Sequence, residues 1–313
     1  MPPEPQLHWG AEALWEQLAP LLPDLSVEVV RSAASTNSAL LERGRALPER
    51  GVDHRAAEPA GNAAVHVHRS VESAAFGRRS IDLQPCLLVA EQQTAGRGRQ
   101  GRAWHSEPGA SLTFSLSMPL ARADRSGLSL AVGVALCEAL DPAPRSAPGP
   151  HLGLKWPNDL WLVESASPEI GRKLGGVLIE TVAAGTHHLA IIGVGLNVMA
   201  FEAHAAATGF AALDELDPGI TAPQALARVA LPLVQAVQTF ERDGFTAFVE
   251  RFDARDLLRG QTVRTTLAEA PEGVARGVAA DGALRLETAA GITCIASGEV
   301  SVRPFAPAAG PAR

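Results

Sequence analysis

The segment EQQTAGRGRQGRAW, from Glu91 to Trp104, decides between two fold classes. It follows an apolar run, Cys86–Ala90, that predicts a strand, and its glycines match the G-x-G-x-x-G pattern of dinucleotide-binding folds. In those folds the glycines open a helix whose amino terminus holds a pyrophosphate. Here the chain continues through AWHSEPG at 103–109 into a second strand pattern, Leu112–Met118, and no Lys-Ser or Lys-Thr pair of a Walker loop follows the glycines. The segment therefore predicts a loop between strands and disfavours a Rossmann nucleotide site.

The composition is that of a globular chain with a sizeable core. Of the 313 residues, 46% are hydrophobic and 19% are charged, which predicts one large domain or two. Glycine and proline, with 29 and 23 residues, are too few for a low-complexity chain. The net charge of −7 disfavours a protein that depends on non-specific affinity for nucleic acid, because such proteins are normally basic.

Cysteine usage and the amino terminus bear on the compartment. Cys86, Cys137 and Cys294 stand far apart in sequence, so we expect neither a disulfide framework nor a thiolate zinc site. The opening residues MPPEPQLHWG lack the basic region and apolar run of a signal peptide, and the longest apolar stretch, Leu189–Leu196, is too short for a membrane helix. These features predict a cytoplasmic protein with no membrane partner.

Hydrophobic periodicity predicts a mixed α+β domain over residues 1–255, followed by a small barrel over residues 256–305 and a frayed tail over 306–313. The predicted helices are Ala11–Leu22, Ser38–Arg45, Ser126–Leu140, a helix opened by a capping box at Thr221–Gln224, and Phe245–Asp253. The predicted strands are Val27–Val30, Cys86–Ala90, Leu112–Met118, Leu152–Trp156, Leu160–Glu164, Leu174–Ala183 and His188–Val198. Residues 46–85 show no periodicity and are predicted to be a disordered insertion.

Several polar segments carry possible chemistry, although each allows a second interpretation. The arginines of the 96–102 loop form either a solvated basic turn or a loop that closes over an anion. KWPND at 155–159 predicts a tight turn, either a plain hairpin or a site offering an amide and a carboxylate. KLGG at 173–176 puts a lysine in an apolar strand, where it either reaches solvent or meets a ligand close to the glycine backbone. GVGLN at 193–197 ends a buried strand with one polar residue.

Taken in order, STN at 35–37, GRGRQGRAW at 96–104, KWPND, KLGG and GVGLN resemble the motifs of the biotin protein ligase family, which shares its catalytic fold with lipoate ligases. The resemblance extends from about Ser32 to Val302. It implies an α+β fold in which a class II synthetase-like mixed sheet with helices is followed by a small SH3-like β-barrel. It also implies an enzyme that joins biotin and ATP into biotinyl-5′-AMP and then transfers biotin to a lysine of a carrier domain.

The resemblance assigns roles to particular residues. Lys173 would bridge the biotin carboxylate and the α-phosphate, and Arg99 would lie along the phosphates, so both are implied to be catalytic. The implied biotin-binding residues are Ser35, Thr36, Asn37, Gln93, Arg97, Gly98, Arg99, Lys173 and Gly176. The implied ATP- or adenylate-binding residues are Arg99, Arg102, Trp104, Asn158, Asp159, Lys173 and Asn197. Biotin and ATP are the implied substrates, and Asp159 is an indirect ligand of the Mg²⁺ that accompanies ATP.

The sequence leaves other functions open. The nearest alternative is a lipoate or octanoate ligase of the same fold, against which the arginine-rich loop and KWPND argue. A biotin-responsive DNA-binding repressor is not expected, because only 34 residues precede Ser35 and Arg31 is the one basic residue among them. Lys173 argues against a nucleotide-binding module without catalysis. The expected partner is the biotin carboxyl carrier protein of acetyl-CoA carboxylase or a related carboxylase, with no DNA partner, and the expected assembly is a monomer or a homodimer.

Overall fold

The computed structural model describes residues 7–45, 74–76, 84–143, 148–164, 171–184, 187–201, 209–268, 270–296 and 303–304. The helices are α1 (Ala11–Leu18), α2 (Thr36–Arg45), α3 (Leu128–Leu140), α4 (Ala222–Asp243) and α5 (Val249–Asp253), with 3₁₀ turns at Arg99–Gly101, Leu213–Glu215 and Phe245–Phe248. In this part of the chain no helix combines the length and the apolar character needed to cross a membrane.

The strands of the larger domain are β1 (Ser26–Ala33), β2 (Ala74–Phe76), β3 (Cys86–Gln93), β4 (Gly96–Arg97), β5 (Ala103–Trp104), β6 (Ser111–Leu120), β7 (Pro150–Lys155), β8 (Asp159–Glu164), β9 (Arg172–Ala184) and β10 (His187–Asn197). Eight of them form one sheet in the order β2-β1-β3-β6-β10-β9-β8-β7. The sheet is mixed, because β1 and β3 are parallel while the other neighbours are antiparallel. Strands β4 and β5 form a separate hairpin that carries the arginines. The predicted mixed sheet is confirmed.

Both faces of the sheet are buried, and the two faces differ in chemistry. Along β3 the side chains alternate, so that Leu87 and Val89 join the large core beneath α1, α3 and α4 while Cys86 and Leu88 pack with α2. On β6, Phe114 belongs to the large core, whereas Ser115 is fully buried on the face covered by α2. The α2 face therefore offers buried hydroxyl groups next to an apolar cluster.

Local sequence patterns predicted the ends of most helices and strands to within a few residues. The predicted capping box is present: Thr221 accepts a hydrogen bond from the backbone N–H of Gln224, and α4 follows. Helix α1 ends at Leu18, earlier than predicted, and Leu22 is buried in the following turn.

Disorder was predicted for residues 46–85, but residues 74–76 form β2, which pairs with β1, so that prediction is wrong there. Residues 84–85 are also described, whereas the rest of this segment and the tail at 306–313 lie outside the described residues.

The carboxyl-terminal region forms the predicted small antiparallel β domain. Its strands are β11 (Thr262–Arg264), β12 (Glu272–Val278), β13 (Leu284–Thr288), β14 (Gly291–Ile295) and β15 (Arg303–Pro304), in the order β14-β13-β12-β11-β15. It packs against the larger domain close to the KWPND turn. The indole Nε1 of Trp156 donates to the carbonyl of Gly282 at 3.0 Å, and Leu154 donates to Arg255 and accepts from Leu257. The predicted boundary at 255/256 falls inside this short paired segment.

Candidate functional site

A cavity opens where the first turn of α2, the central strands, the KWPND turn and the arginine hairpin meet. It is lined by Ser35, Thr36, Asn37, Gln93, Arg97, Gly98, Arg99, Gln100, Arg102, Ala103, Trp104, Phe114, Lys155, Trp156, Pro157, Asn158, Asp159, Trp161, Lys173, Gly176, Val177, Leu178, Gly193, Val194 and Gly195. The folded chain thus brings together all of the implied site residues except Asn197. We call the buried polar side formed by Thr36, Asn37, Gln93 and Ser115 the strand wall, and residues 96–104 the arginine loop.

The strand wall starts at the amino terminus of α2. Ser35 caps the helix, because its Oγ accepts a hydrogen bond from the Ser38 N–H at 3.4 Å. The backbone N–H of Thr36 donates to Gln93 Oε1 at 2.7 Å, which fixes the amide of Gln93 at the end of β3. Its oxygen is therefore occupied, and its Nε2 group is left to donate.

Asn37 is held from several sides at the back of the strand wall. Its Nδ2 donates to the Leu178 carbonyl at 3.2 Å and to Glu180 Oε2 at 3.0 Å. Its Oδ1 lies 2.6 Å from the hydroxyl of Ser115, which is also 2.6 Å from Thr36 Oγ1. A Cβ at Gly193 would lie 2.2 Å from Asn37 Oδ1, so only glycine leaves room for this side chain. Sequence reasoning missed Ser115 and Glu180.

The arginine loop is a tight hairpin on the opposite side of the cavity. The N–H of Gly98 donates to the Arg102 carbonyl at 2.7 Å, and Gln100 has a positive φ of 56°. Arg97 reaches back to β9, where its Nη2 lies 3.1 and 2.9 Å from the two carboxylate oxygens of Glu180. Arg102 is exposed and donates to Gln100 within the loop.

Arg99 is the half-buried cation of the loop. Burial lowers the pKa of its guanidinium below the usual value for arginine, the Asp159 carboxylate opposes that change, and the neighbouring Arg102 lowers it further. An arginine stays charged under such shifts. Its guanidinium lines the cavity, where a fixed cation is suited to contact an anionic ligand.

Lys173 and Asp159 form an ion pair across the strands β8 and β9. Lys173 Nζ lies 2.7 Å from Asp159 Oδ1, with the two side chains 30% and 19% exposed. Asn158 fastens the turn to β9, because its Nδ2 donates to the Val177 carbonyl at 2.9 Å. A Cβ at Gly176 would come within 3.3 Å of Asp159 Oδ1 and 3.7 Å of the amine. Because Gly176 has no side chain, the ion pair lies directly beside its backbone.

Trp104 closes the cavity from the end of the hairpin. A Cβ at Gly195 would lie 2.6 Å from the indole ring, so the ring packs directly on the glycine backbone of β10. Asn197 continues the same strand but does not line the cavity. The segment at 210–212 crosses that end of the sheet, and Asn197 Nδ2 donates to the Ala211 carbonyl at 3.1 Å. The implied contact between Asn197 and the adenine stays a prediction.

Lys155 and Trp161 also line the cavity, although the sequence motifs did not assign them a role. Lys155 is only 8% exposed, and its Nζ lies 4.4 Å from the centre of the Trp161 ring, in cation–π range. The sequence could have indicated Lys155, since it is the first residue of the KWPND motif, whose later residues were assigned roles.

Among the described residues, no group of three or more His, Cys, Asp or Glu side chains could hold a metal ion.

Comparison with known proteins gives consistent matches. Residues 79–197 match the biotin/lipoate A/B protein ligase family, and residues 260–303 match the biotin protein ligase C terminal domain. A biotin–[acetyl-CoA-carboxylase] ligase of Mycobacterium tuberculosis is 31% identical over 229 residues, covering 70% of this chain and 79% of that protein. The bifunctional ligase/repressor BirA of Salmonella typhimurium is 32% identical over 221 residues, covering 69% of this chain.

The chain spans 66% of the length of that BirA and 65% of the length of the BirA of Escherichia coli, just under two thirds in each case. Among solved structures, a point mutant of a biotin protein ligase from Aquifex aeolicus in complex with biotin aligns with a TM-score of 0.64 and 25% identity. The alignment covers 89% of this chain and 98% of that one. The same ligase in complex with biotin and ATP aligns with a TM-score of 0.63 at 24% identity, which supports the fold.

Proposed function

Because the chain belongs to the biotin protein ligase family, we propose that it is an ATP-dependent biotin ligase that forms biotinyl-5′-AMP and transfers biotin to a lysine of a carrier domain. One observation carries this proposal. A single cavity joins a neutral, hydrogen-bonding strand wall to a charged end that holds Lys173, Asp159 and Arg99. A ligand with a polar uncharged ring and a carboxylate tail fits that division.

In the first step, a carboxylate oxygen of biotin attacks the α-phosphorus of ATP. The bond between the α-phosphorus and the oxygen that bridges it to the β-phosphate breaks, and pyrophosphate leaves. Both reactants are anions, so the main task of the protein is to hold them together and offset their charge. Lys173 lies where it can exchange its contact with Asp159 for contacts to the two anions. Arg99 would offset charge along the phosphates.

In the second step, the neutral ε-amine of an acceptor lysine attacks the acyl carbon, AMP leaves, and the amine loses a proton as the amide forms. Before that attack, the acyl-adenylate must be kept from water. The arginine loop is suited to this protection, because Trp104 and Arg99 already lie over the cavity.

The carboxylate at the charged end of the cavity fits a Mg²⁺ ion that would enter bound to ATP. Mg²⁺ is commonly held by one or two carboxylates together with substrate phosphates and water. Asp159 supplies one carboxylate at the charged end of the cavity. Asp159 would therefore steady Mg²⁺ that ATP carries in, once Lys173 has exchanged this carboxylate for the two reacting anions.

The strand wall favours biotin over lipoate or octanoate. A urea ring offers one carbonyl and two N–H groups, whereas a dithiolane ring or an alkyl chain offers none of these. Thr36 and Gln93 line the cavity with a hydroxyl and an amide. Burying these groups against an apolar chain would leave polar atoms unpaired, and that discriminates strongly between substrates.

The acceptor protein, the oligomeric state and the cellular location are part of the same proposal. The acceptor is a biotin carboxyl carrier protein of acetyl-CoA carboxylase or a related carboxylase, and the protein acts without DNA as a monomer or homodimer. Residues 1–255 would form the catalytic domain and residues 256–305 the SH3-like domain. Use of ATP and the free thiols of Cys86, Cys137 and Cys294 support a cytoplasmic location.

The direct test is ATP–pyrophosphate exchange measured with biotin, lipoate or octanoate as the acid. We expect exchange with biotin alone. If exchange follows lipoate or octanoate instead, the substrate assignment is wrong, and if no acid supports exchange, the ligase assignment fails. A second measurement, transfer of biotin to a purified carrier domain, tests the acceptor.

A further inference from the structure

Glu180 is the residue at which the strand wall and the arginine loop meet. It lies on β9, and neither the motifs nor the proposed reaction assigns it a role. Its Oε2 accepts from Asn37 Nδ2 at 3.0 Å, while both carboxylate oxygens accept from Arg97 Nη2. One carboxylate thus contacts both sides of the cavity without lining it.

The direction of the hydrogen bonds in the strand wall follows from what each group can donate. Asn37 spends both Nδ2 hydrogens, on the Leu178 carbonyl and on Glu180, so its Oδ1 must accept. The single hydroxyl hydrogen of Ser115 therefore points to Asn37 Oδ1 at 2.6 Å. The oxygens of Ser115 and Thr36 are also 2.6 Å apart, and the hydrogen between them can come only from Thr36. The other acceptor within reach of the Thr36 hydroxyl, Gln93 Oε1, is farther away at 3.2 Å and already accepts from the Thr36 backbone N–H.

This direction decides what Thr36 can offer to a ligand. Its hydroxyl hydrogen is used inside the wall, and its oxygen keeps a lone pair on the cavity side. The chain of donors runs from Thr36 through Ser115 and Asn37 to Glu180, which as a carboxylate only accepts. Thr36 therefore presents an acceptor, suited to an N–H group of the substrate ring, and not a donor.

We propose that Glu180 is a positioning residue that sets the hydrogen-bond direction of the strand wall, so that Thr36 accepts from an N–H of the substrate ring, and that anchors the arginine loop through Arg97. The role in ring recognition rests on the proposed function, because it names biotin as the ligand. Through the contact of Arg97 Nη2 with both of its carboxylate oxygens, Glu180 links recognition of the ring to closure of the loop.

Calorimetric binding of biotin to the full chain without ATP tests the first role. Glu180→Gln and Ser115→Ala should each weaken biotin binding roughly tenfold, the loss expected for one buried hydrogen bond. Because both variants break the same chain, the double variant should lose much less affinity than the product of the two single losses. KM for biotin should rise while the maximal exchange rate of Ser115→Ala changes less than about threefold.

Release of the adenylate tests the second role. Glu180→Gln and Arg97→Met should both accelerate release by a larger factor than they weaken biotin binding, whereas Ser115→Ala should accelerate release by no more than its loss of biotin affinity. Glu138→Gln is the matched control, since Glu138 also pairs with an arginine, Arg251, outside the cavity. That control should leave biotin affinity and adenylate release unchanged.

The outcomes separate this inference from the proposed function. A wild-type chain that does not bind biotin refutes the proposed function. A wild-type chain that binds biotin, with Glu180→Gln within twofold of it or with multiplicative effects in the double variant, refutes the role of Glu180 alone. If Glu180→Gln does not fold by circular dichroism, Ser115→Ala must still weaken biotin binding and Arg97→Met must still accelerate release. Failure of either overturns the inference.

Discussion

The two sides of the cavity are built in opposite ways. In the strand wall, Thr36, Asn37 and Ser115 are at most 3% exposed, and Ser115 is hydrogen-bonded to both of the others. In the arginine loop, Arg97 is 42% exposed and held by one ion pair, and Arg102 donates a hydrogen bond to a residue of its own loop. Because the hydrogen bonds of the strand wall are formed before a ligand arrives, the wall can discriminate between neutral rings by their donors and acceptors. The exposed cationic loop contributes to binding free energy mainly through attraction to a charged ligand.

Lys173→Ala should give the largest effect, because Lys173 lines the charged end of the cavity and is proposed to contact both reacting anions. We expect the rate of biotin-dependent pyrophosphate exchange to fall by roughly 10²–10³-fold, the cost of losing one preorganised charge in a transition state. Biotin affinity should fall far less, and the melting temperature should stay close to that of the wild type. Near-normal exchange would remove the catalytic assignment.

Gly193→Ala should be the most damaging substitution in the strand wall itself. The new Cβ would lie 2.2 Å from Asn37 Oδ1, so Asn37 must move and the hydrogen bonds of the wall must break. We expect a loss of about 1–3 kcal/mol in the free energy of unfolding, measured in urea, together with weaker biotin binding.

Gly98→Ala is the matched control in the arginine loop. Its Cβ would meet no atom closer than 3.5 Å, and its φ of −108° suits any residue. Its free energy of unfolding should therefore match that of the wild type. Equal losses at Gly193 and Gly98 would show that the two sides are not built differently.

Arg99→Ala should impair retention of the intermediate more than its formation. A charge-assisted hydrogen bond to a phosphate is worth about 1.5–3 kcal/mol, which corresponds to roughly 10- to 100-fold faster release of the adenylate. Released adenylate acylates lysines indiscriminately, so biotinylation of a bystander protein measures it. An unchanged rate of release would contradict this role.

Arg102→Ala should give the smallest effect of the series. The side chain is exposed and donates to Gln100 within its own loop, and such surface contacts are worth about 0–1 kcal/mol. We expect less than about fivefold faster release of the adenylate. A change as large as that of Arg99→Ala would mean that the whole loop, and not its half-buried arginine, carries the charge compensation.

The sequence predicted the strands, the helices and the motif residues, because periodicity and turn chemistry are local. It did not predict the partners of those residues. Ser115 stands in the alternating segment LTFSLSM, and nothing local says that α2 covers its face of the sheet. Glu180 is 83 positions from Arg97, and only the register of β9 brings the two together.

Asn197 illustrates the opposite limitation: here a local sequence pattern suggested a ligand contact that depends on residues far away in the sequence. Its place at the end of a glycine-containing strand is local information, and it suggested a ligand contact. Whether that end of the strand stays open depends on a distant segment, and here the backbone at 210–212 covers it. The adenine contact of Asn197 stays a prediction, because a side chain at the end of a strand can bond a crossing segment of the same chain as well as a ligand.

The hydrogen bond from Trp156 to Gly282 sets an order of events during synthesis of the protein. The ribosome delivers the KWPND turn more than a hundred residues before the carbonyl that supports it, since the two partners are 126 positions apart. A nascent chain thus carries every side chain of the cavity while the base of that turn is still incomplete. The carboxyl-terminal strands therefore complete the packing beneath the KWPND turn only after every residue that lines the cavity has been synthesised.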